Sequence, residues 1–100
     1  MKIKYLCTIW GMDQPTLEGN LNTIKDGGFD GVEMPVPRNR AERDELGSLL
    51  NEIGLDLVAQ VRAEGTTVDE QIDFLEKELN SVLWLNTLLT NVHCGKDYWP

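Results

Sequence analysis

Four side chains suited to binding a small polar molecule stand at or near the ends of four apolar runs. Trp10 closes IKYLCTIW, Glu33 lies near the end of FDGVEM, Gln60 near the end of LDLVAQV, and His93 near the end of LLTNVHC. A carboxylate accepts hydrogen bonds, an amide donates and accepts them, and an imidazole can also carry a proton or bind a metal. His93 is the only histidine of the chain. These residue types predict a polar binding site.

The four runs are predicted to be β-strands, because they are short, apolar and rich in β-branched and aromatic residues. The first run is so apolar that we expect it to be buried on both faces, as in a parallel sheet. Between the runs, apolar residues recur at helical spacing and predict three amphipathic helices. The three stripes are Leu17, Leu21 and Ile24; Leu46, Leu49, Leu50 and Ile53; and Val68, Ile72, Leu75, Leu79 and Val82.

Signals at the helix ends support this assignment. Gly27-Gly28 and Gly54 follow the first two stripes, where glycine ends a helix without a side-chain clash. Thr67 and Glu70 have the spacing of a capping box ahead of the third. Strands starting near residues 3, 29, 55 and 88 therefore alternate with helices, which predicts four parallel strands joined by right-handed crossovers.

The positions of the polar residues favour a barrel over an open sheet. Glu33, Gln60 and His93 occupy the same end of successive strands, and Asn91 shares a face with His93 by the two-residue period. A buried, unpaired polar group is costly, so these side chains favour a shared wet pocket at the carboxyl ends of the strands. In the alternative interpretation, Glu33 and Gln60 only satisfy loop backbone groups.

Charge and motifs narrow the class of function. A net charge of -8 argues against nucleic-acid binding, which needs a basic surface. The chain has no glycine-rich phosphate motif of the G-x-G-x-x-G or Walker type. The apolar stretch at the start is too short to span a membrane and has no cleavage site. We therefore expect a cytoplasmic protein with neither a nucleic-acid nor a membrane partner.

Three segments resemble the xylose isomerase-like barrels of the sugar phosphate isomerase/epimerase group. They are IWGM, GFDGVEMP and NVHCGKDYW, and the similarity covers the whole chain as the first four strands of the barrel. The group includes ketose 3-epimerases, hydroxypyruvate isomerases and, more distantly, apurinic-site endonucleases. The resemblance implies an α/β fold of the (βα)8 TIM-barrel type, with residues 1–100 as a single partial domain, a half barrel.

The resemblance also implies a chemistry. A divalent metal (Mn, Mg, Co or Zn) would polarise a small sugar or sugar phosphate, and proton transfer next to its carbonyl would pass through an enediolate, as in an isomerase or epimerase. The implied substrate-binding residues are Glu33, His93, Gln60, Trp10 and Lys96, and residues 96–99 would form part of the pocket rim. His93 matches a metal ligand of the endonuclease branch. No residue of this chain is assigned as catalytic.

A closed barrel of this type needs about 250 residues. We therefore expect a fragment of a longer protein, with the other metal ligands beyond residue 100 and no activity of the chain on its own; the alternative is that two copies complete each other. A half barrel would expose inward residues, for which we take Leu57, Ala59 and Leu89, and two strand edges, so we expect self-association. Two other functions stay open. One is an apurinic-site endonuclease-like barrel, and the other is a non-catalytic ligand-binding barrel.

Overall fold

The chain folds as an α/β unit of four parallel strands and three helices. The computed structural model describes residues 3–83, 85 and 87–95. In chain order the elements are β1 (Leu6–Thr8), α1 (Leu17–Asp26), β2 (Gly31–Pro35), α2 (Arg40–Ile53), β3 (Asp56–Arg62), α3 (Val68–Val82) and β4 (Thr87–His93). The strands form one sheet in the order β1-β2-β3-β4, and every pair is parallel. The predicted alternation of strands and helices is confirmed.

Each helix begins at a side-chain cap. The Thr16 hydroxyl accepts from the Gly19 N–H in the first turn of α1, and the side-chain Oδ1 of Asn39 accepts from two N–H groups at the start of α2. The capping box of Thr67 and Glu70 is confirmed at α3. The predicted stop at Gly54 is also confirmed, because this residue adopts the left-handed conformation with φ of 84°. Local signals therefore fix where the helices start.

All three helices contribute to a core on one face of the sheet. The core residues from the two inner strands are Val32, Met34, Leu57, Ala59 and Val61. They pack with helix residues that include Leu21, Ile24, Leu46, Leu50 and Val82. Leu57 and Ala59 are fully buried on this helix-covered face, so the expectation that they point inward and become exposed is wrong. Successive side chains of a strand point to opposite faces of the sheet. Because Gln60 lies on the face opposite the helices, Leu57, Ala59 and Val61 lie on the helix-covered face.

The two edge strands are much less buried than the inner ones. β1 spans only Leu6–Thr8, and each of its residues is at least partly exposed, so the expectation of a longer strand buried on both faces is wrong. An edge strand has one neighbour, and β1 contributes only Cys7 to the margin of the core. On β4, Leu89 is 61% exposed, as expected for an inward residue of a half barrel.

The pairing of β3 with β4 contains one irregularity. Leu57 pairs with Thr87, but the next residue, Val58, pairs with Leu89. Leu88 has no partner on β3, so the register shifts by one residue at this point. From Val58 onward the register is regular up to Arg62, which pairs with His93. Within the described ranges, no helix combines the length and the apolar character needed to cross a membrane.

Candidate functional site

The uncovered face of the sheet, meaning the face opposite the helices, carries most of the predicted site. Glu33 pairs with Val58, which pairs with Leu89, so these three residues share a face. One step further along the strands Pro35, Gln60 and Asn91 form the next row, followed by the pair of Arg62 and His93. Glu33, Gln60, Asn91 and His93 therefore lie on the same side of the sheet, near the carboxyl ends of the strands.

Glu33 and Gln60 are in direct contact. The Gln60 Nε2 donates a hydrogen bond to Glu33 Oε2 at 3.1 Å, and both residues are half-buried. The amide fixes the orientation of the carboxylate, while the second carboxylate oxygen and the amide oxygen remain available as acceptors. Such a pair can accept hydrogen bonds from hydroxyl groups of a ligand. The two acceptors are held before any ligand arrives, which lowers the entropic cost of binding.

A pocket of about 490 Å³ lies where these strands end. Its lining includes three predicted site residues, Trp10, Gln60 and His93. The other lining residues are Pro35, Val36, Arg38, Val61, Arg62 and Glu78. Glu33 contributes through its bond to Gln60 instead of lining the pocket itself. Aromatic and apolar walls with a few convergent polar groups are typical of small-molecule sites.

A larger pocket of about 660 Å³ lies between α2 and α3, and residues such as Arg40, Asn51 and Asn80 line it. It is formed by helix surfaces and contains no residue from the carboxyl ends of the strands. In parallel α/β proteins, ligands bind at those strand ends. The smaller pocket is therefore the candidate site.

One lining residue of the pocket, Arg38, already has partners. Arg38 forms an ion pair with Glu64, whose Oε1 lies 2.5 Å from its Nη2, and its guanidinium lies 4.8 Å from the centre of the Phe74 ring. The hydrogen bond to Glu64 raises the pKa of Arg38 above its ordinary value, and the charge of Glu78 adds to the effect. Arg38 and Glu78 thus belong to one local charge cluster at the side of the pocket.

Gln71 positions the end of β4 and was not predicted from the sequence. It is the one buried polar residue of the described chain, with 3% exposure. Its Nε2 donates to the Gly65 carbonyl at 3.1 Å, and its Oε1 accepts from the Gly95 N–H at 2.7 Å. The Ala63 N–H also donates to the His93 carbonyl at 2.7 Å. The backbone at the His93 carbonyl and at Gly95 is therefore anchored. An amide beside an apolar helical stripe was the only sequence signal.

Metal binding gains no support from these residues. Among the described residues, no group of three or more His, Cys, Asp or Glu side chains is placed to hold a metal ion. The acidic, cysteine and histidine side chains of the described part of the chain therefore do not by themselves make a metal site. Ligation of a metal by His93 stays a prediction. Lys96, predicted to bind substrate, lies outside the described residues, as does the rest of the rim segment.

Comparison with known proteins adds no family. No family model matches the chain, and no curated protein or solved structure matches it. The resemblance to the xylose isomerase-like barrels therefore stays a prediction, and the candidate site rests on the geometry of the strand ends.

Proposed function

We propose that the chain forms the N-terminal half of a cytoplasmic, xylose isomerase-like (βα)8 barrel that isomerises or epimerises a small sugar. One observation carries the proposal. Glu33 and Gln60 are hydrogen-bonded to each other at the carboxyl ends of their strands, and His93 lies on the same uncovered face. A closed barrel of parallel strands places its ligand at this end, inside the ring of strands.

The residue types favour a carbohydrate as the ligand. A sugar offers many hydroxyl groups, which need acceptors such as the free oxygens of Glu33 and Gln60 and a donor or acceptor such as the His93 imidazole. It also offers apolar C–H faces, for which the exposed indole of Trp10 provides a flat surface at the pocket wall. A purely apolar ligand would leave the carboxylate without compensation.

Proton transfer next to a carbonyl is the chemistry that fits these groups. A carboxylate can accept a proton, and an imidazole can donate or accept one, when the substrate lies within hydrogen-bond distance. In this half of the barrel, Glu33 and His93 bind and orient the sugar. The remaining strands of the barrel would supply the groups that this half lacks, so we expect the chain alone to bind sugar weakly and to turn over none.

Nuclear magnetic resonance tests the binding directly, because His93 is the only histidine and its ring signals need no assignment by mutation. We expect titration with ketoses to shift the His93 ring signals and the Gln60 side-chain amide signals with a common saturation curve. Replacing Glu33 with Gln should weaken binding about tenfold, because one charge-assisted acceptor is lost. The matched control is Asn51→Ala in the pocket between the helices.

Two outcomes would count against the proposal. One is the absence of a saturable shift with any ketose or aldose, and the other is a loss of binding in the Asn51→Ala variant instead of the Glu33→Gln variant. Catalysis is tested separately in a closed barrel containing this half, by deuterium uptake at the carbon beside the sugar carbonyl in heavy water. Sugar binding without deuterium uptake would favour the non-catalytic ligand-binding barrel.

A further inference from the structure

Gln71 is the only polar residue buried among the residues that the structure describes, with 3% exposure. On α3 it shares the buried face with Val82, where a leucine would complete the apolar surface without any polar group. Burying an amide without partners costs free energy, so such a residue is expected where its hydrogen bonds hold other groups in place. What the Gln71 amide binds therefore decides its role.

The Gln71 amide joins two segments that follow neighbouring strands. Its Nε2 donates to the Gly65 carbonyl at 3.1 Å, in the segment between β3 and α3. Its Oε1 accepts from the Gly95 N–H at 2.7 Å, two residues after the end of β4. Both glycines lie beyond the paired residues of β3 and β4, so the amide continues the link between these strands where the ladder has ended. We call the two hydrogen bonds the Gln71 bridge.

The backbone at Gly65 requires glycine for this bridge. Its φ is 129°, a conformation that other residues rarely adopt. A Cβ at this position would also lie 2.6 Å from the Cβ of Glu70, the residue before Gln71 on α3. A larger residue would push the segment away from the helix, so the Gly65 carbonyl reaches the Gln71 amide only because the side chain is absent.

The segment that contains Gly65 also contacts two residues of the 490 Å³ pocket. The Ala63 N–H donates to the His93 carbonyl at 2.7 Å, and Glu64 forms an ion pair with Arg38. His93 and Arg38 both line the pocket. The ion pair is exposed, and exposed ion pairs contribute little to stability. The buried Gln71 bridge is therefore the stronger link between this segment and its neighbours.

We propose that Gln71 is a positioning residue, which holds the segments after β3 and β4 together and so fixes His93 before a sugar binds. Gln71 does not line the pocket, and it acts through the backbone that follows His93. This inference rests on the proposed function, because it concerns the same pocket. A side chain that is already ordered loses less freedom on binding, so the affinity for the sugar depends on the bridge.

The test replaces Gln71 with Met, which has a similar length and cannot form the bridge. We expect the Gly95 amide proton to exchange with heavy water at least about tenfold faster, because its acceptor is lost. The His93 ring signals should broaden as the ring samples more than one environment, and ketose binding should weaken by about threefold to tenfold. Leu75→Met is the matched control, since Leu75 lies on the same helix and packs against the core.

The variant Gln71→Glu tests whether the hydrogen bonds themselves are responsible. Burial raises the pKa of a carboxyl, so a protonated glutamic acid can donate to Gly65 and accept from Gly95 as the amide does. We expect this variant to behave like the unchanged chain at about pH 5.5 and like Gln71→Met at about pH 8. Each variant is compared with the unchanged chain at the same pH, because His93 titrates in all of them.

The possible failures are distinguishable. Faster exchange at Gly95 with unchanged His93 signals and unchanged ketose affinity would give the bridge a structural role only, which overturns the positioning role. Equal changes in Leu75→Met would show a general loosening of α3, which also contradicts it. If no ketose binds even the unchanged chain, the proposed function fails, and the His93 signals still decide whether Gln71 positions the ring. If Gln71→Met does not fold, the comparison of Gln71→Glu at the two pH values decides.

Discussion

The two faces of one sheet differ in what they bury. On the helix-covered face, Leu57, Ala59 and Val61 of β3 belong to the core, and all three are at most 2% exposed. On the uncovered face of the same strand, Val58 is also buried, whereas Gln60 and Arg62 towards the carboxyl end are half-buried or exposed and line a pocket. The same seven residues of β3 therefore carry stability on one side and ligand chemistry on the other.

Apolar side chains on the two faces should differ most in what they contribute to folding. Replacing Leu57 with Ala should lower the free energy of unfolding by about 2–5 kcal/mol, because it leaves a cavity among the core residues. Replacing Leu89 with Ala should change the free energy of unfolding by less than about 0.5 kcal/mol, because Leu89 is 61% exposed on the other face. Urea unfolding, followed by circular dichroism at concentrations where the chain is monomeric, measures both values. Equal losses for the two variants would mean that the uncovered face also packs as a core.

At high protein concentration we expect the chain to dimerise, with a second copy covering the uncovered face of the sheet. If β4 of each copy pairs with β1 of the other, the parallel order of the sheet continues and the uncovered faces of the two copies are enclosed. The face also presents exposed Leu89, while the charges of Lys4 and Asp56 neutralise each other there. We expect dimers in sedimentation velocity.

A single charge on this face should weaken the dimer. Leu89→Lys should raise the dimer dissociation constant about tenfold or more, which corresponds to about 1.4 kcal/mol. Leu83→Lys is the control, since Leu83 is 79% exposed at the end of α3. A monomer at all concentrations, or equal effects of the two lysines, would show that the strand face is not the contact.

The smallest expected effect lies on the helix side, at the start of α3. Glu70 accepts hydrogen bonds from the Thr66 N–H, the Thr66 hydroxyl and the Thr67 N–H, and these lower the pKa of its carboxyl below the ordinary value of 4.5. A lowered pKa in the folded state stabilises the fold above 4.5, and this contribution is lost as the pH falls through the folded-state pKa.

The variant Glu70→Gln isolates this contribution. We expect it to be less stable than the unchanged chain at neutral pH, and the difference should shrink as the pH falls below 4.5. Urea unfolding at both pH values measures the difference, and Glu76→Gln on an exposed position of α3 is the control. A difference that stays constant with pH would show that the charge of Glu70 has no role in the cap.

The helices were the part of the fold that the sequence predicted best. The limits of α2 depend on local signals. Asn39 caps its start and Gly54 ends it, and both lie next to the apolar stripe in the sequence. The stripe of α3 predicted a helix with the correct limits, yet Val68 and Ile72 are more than half exposed. Periodicity identifies a helix, but it does not tell whether another element covers each apolar side chain.

The strands were harder to predict, because their burial depends on neighbours that are distant in sequence. From its composition, β1 was predicted to be buried, whereas its position at the edge of the sheet leaves it exposed. When a strand is apolar with little alternation, its sequence does not show which residues face the helices. For this reason the predicted face of Leu57 and Ala59 was wrong. Arg62 was missed because only the register with β4 brings it beside His93.

Leu88 decides which residues of β4 can meet a ligand. If Leu88 paired in step after Leu57 and Thr87, with no shift of register, Val92 would stand opposite Arg62. His93 would then turn towards the helices, and the pocket would gain a valine in place of its only imidazole. The chemistry of this strand thus depends on a count of residues as much as on their identity, because the shift of register at Leu88 sets the face of the sheet on which the histidine lies.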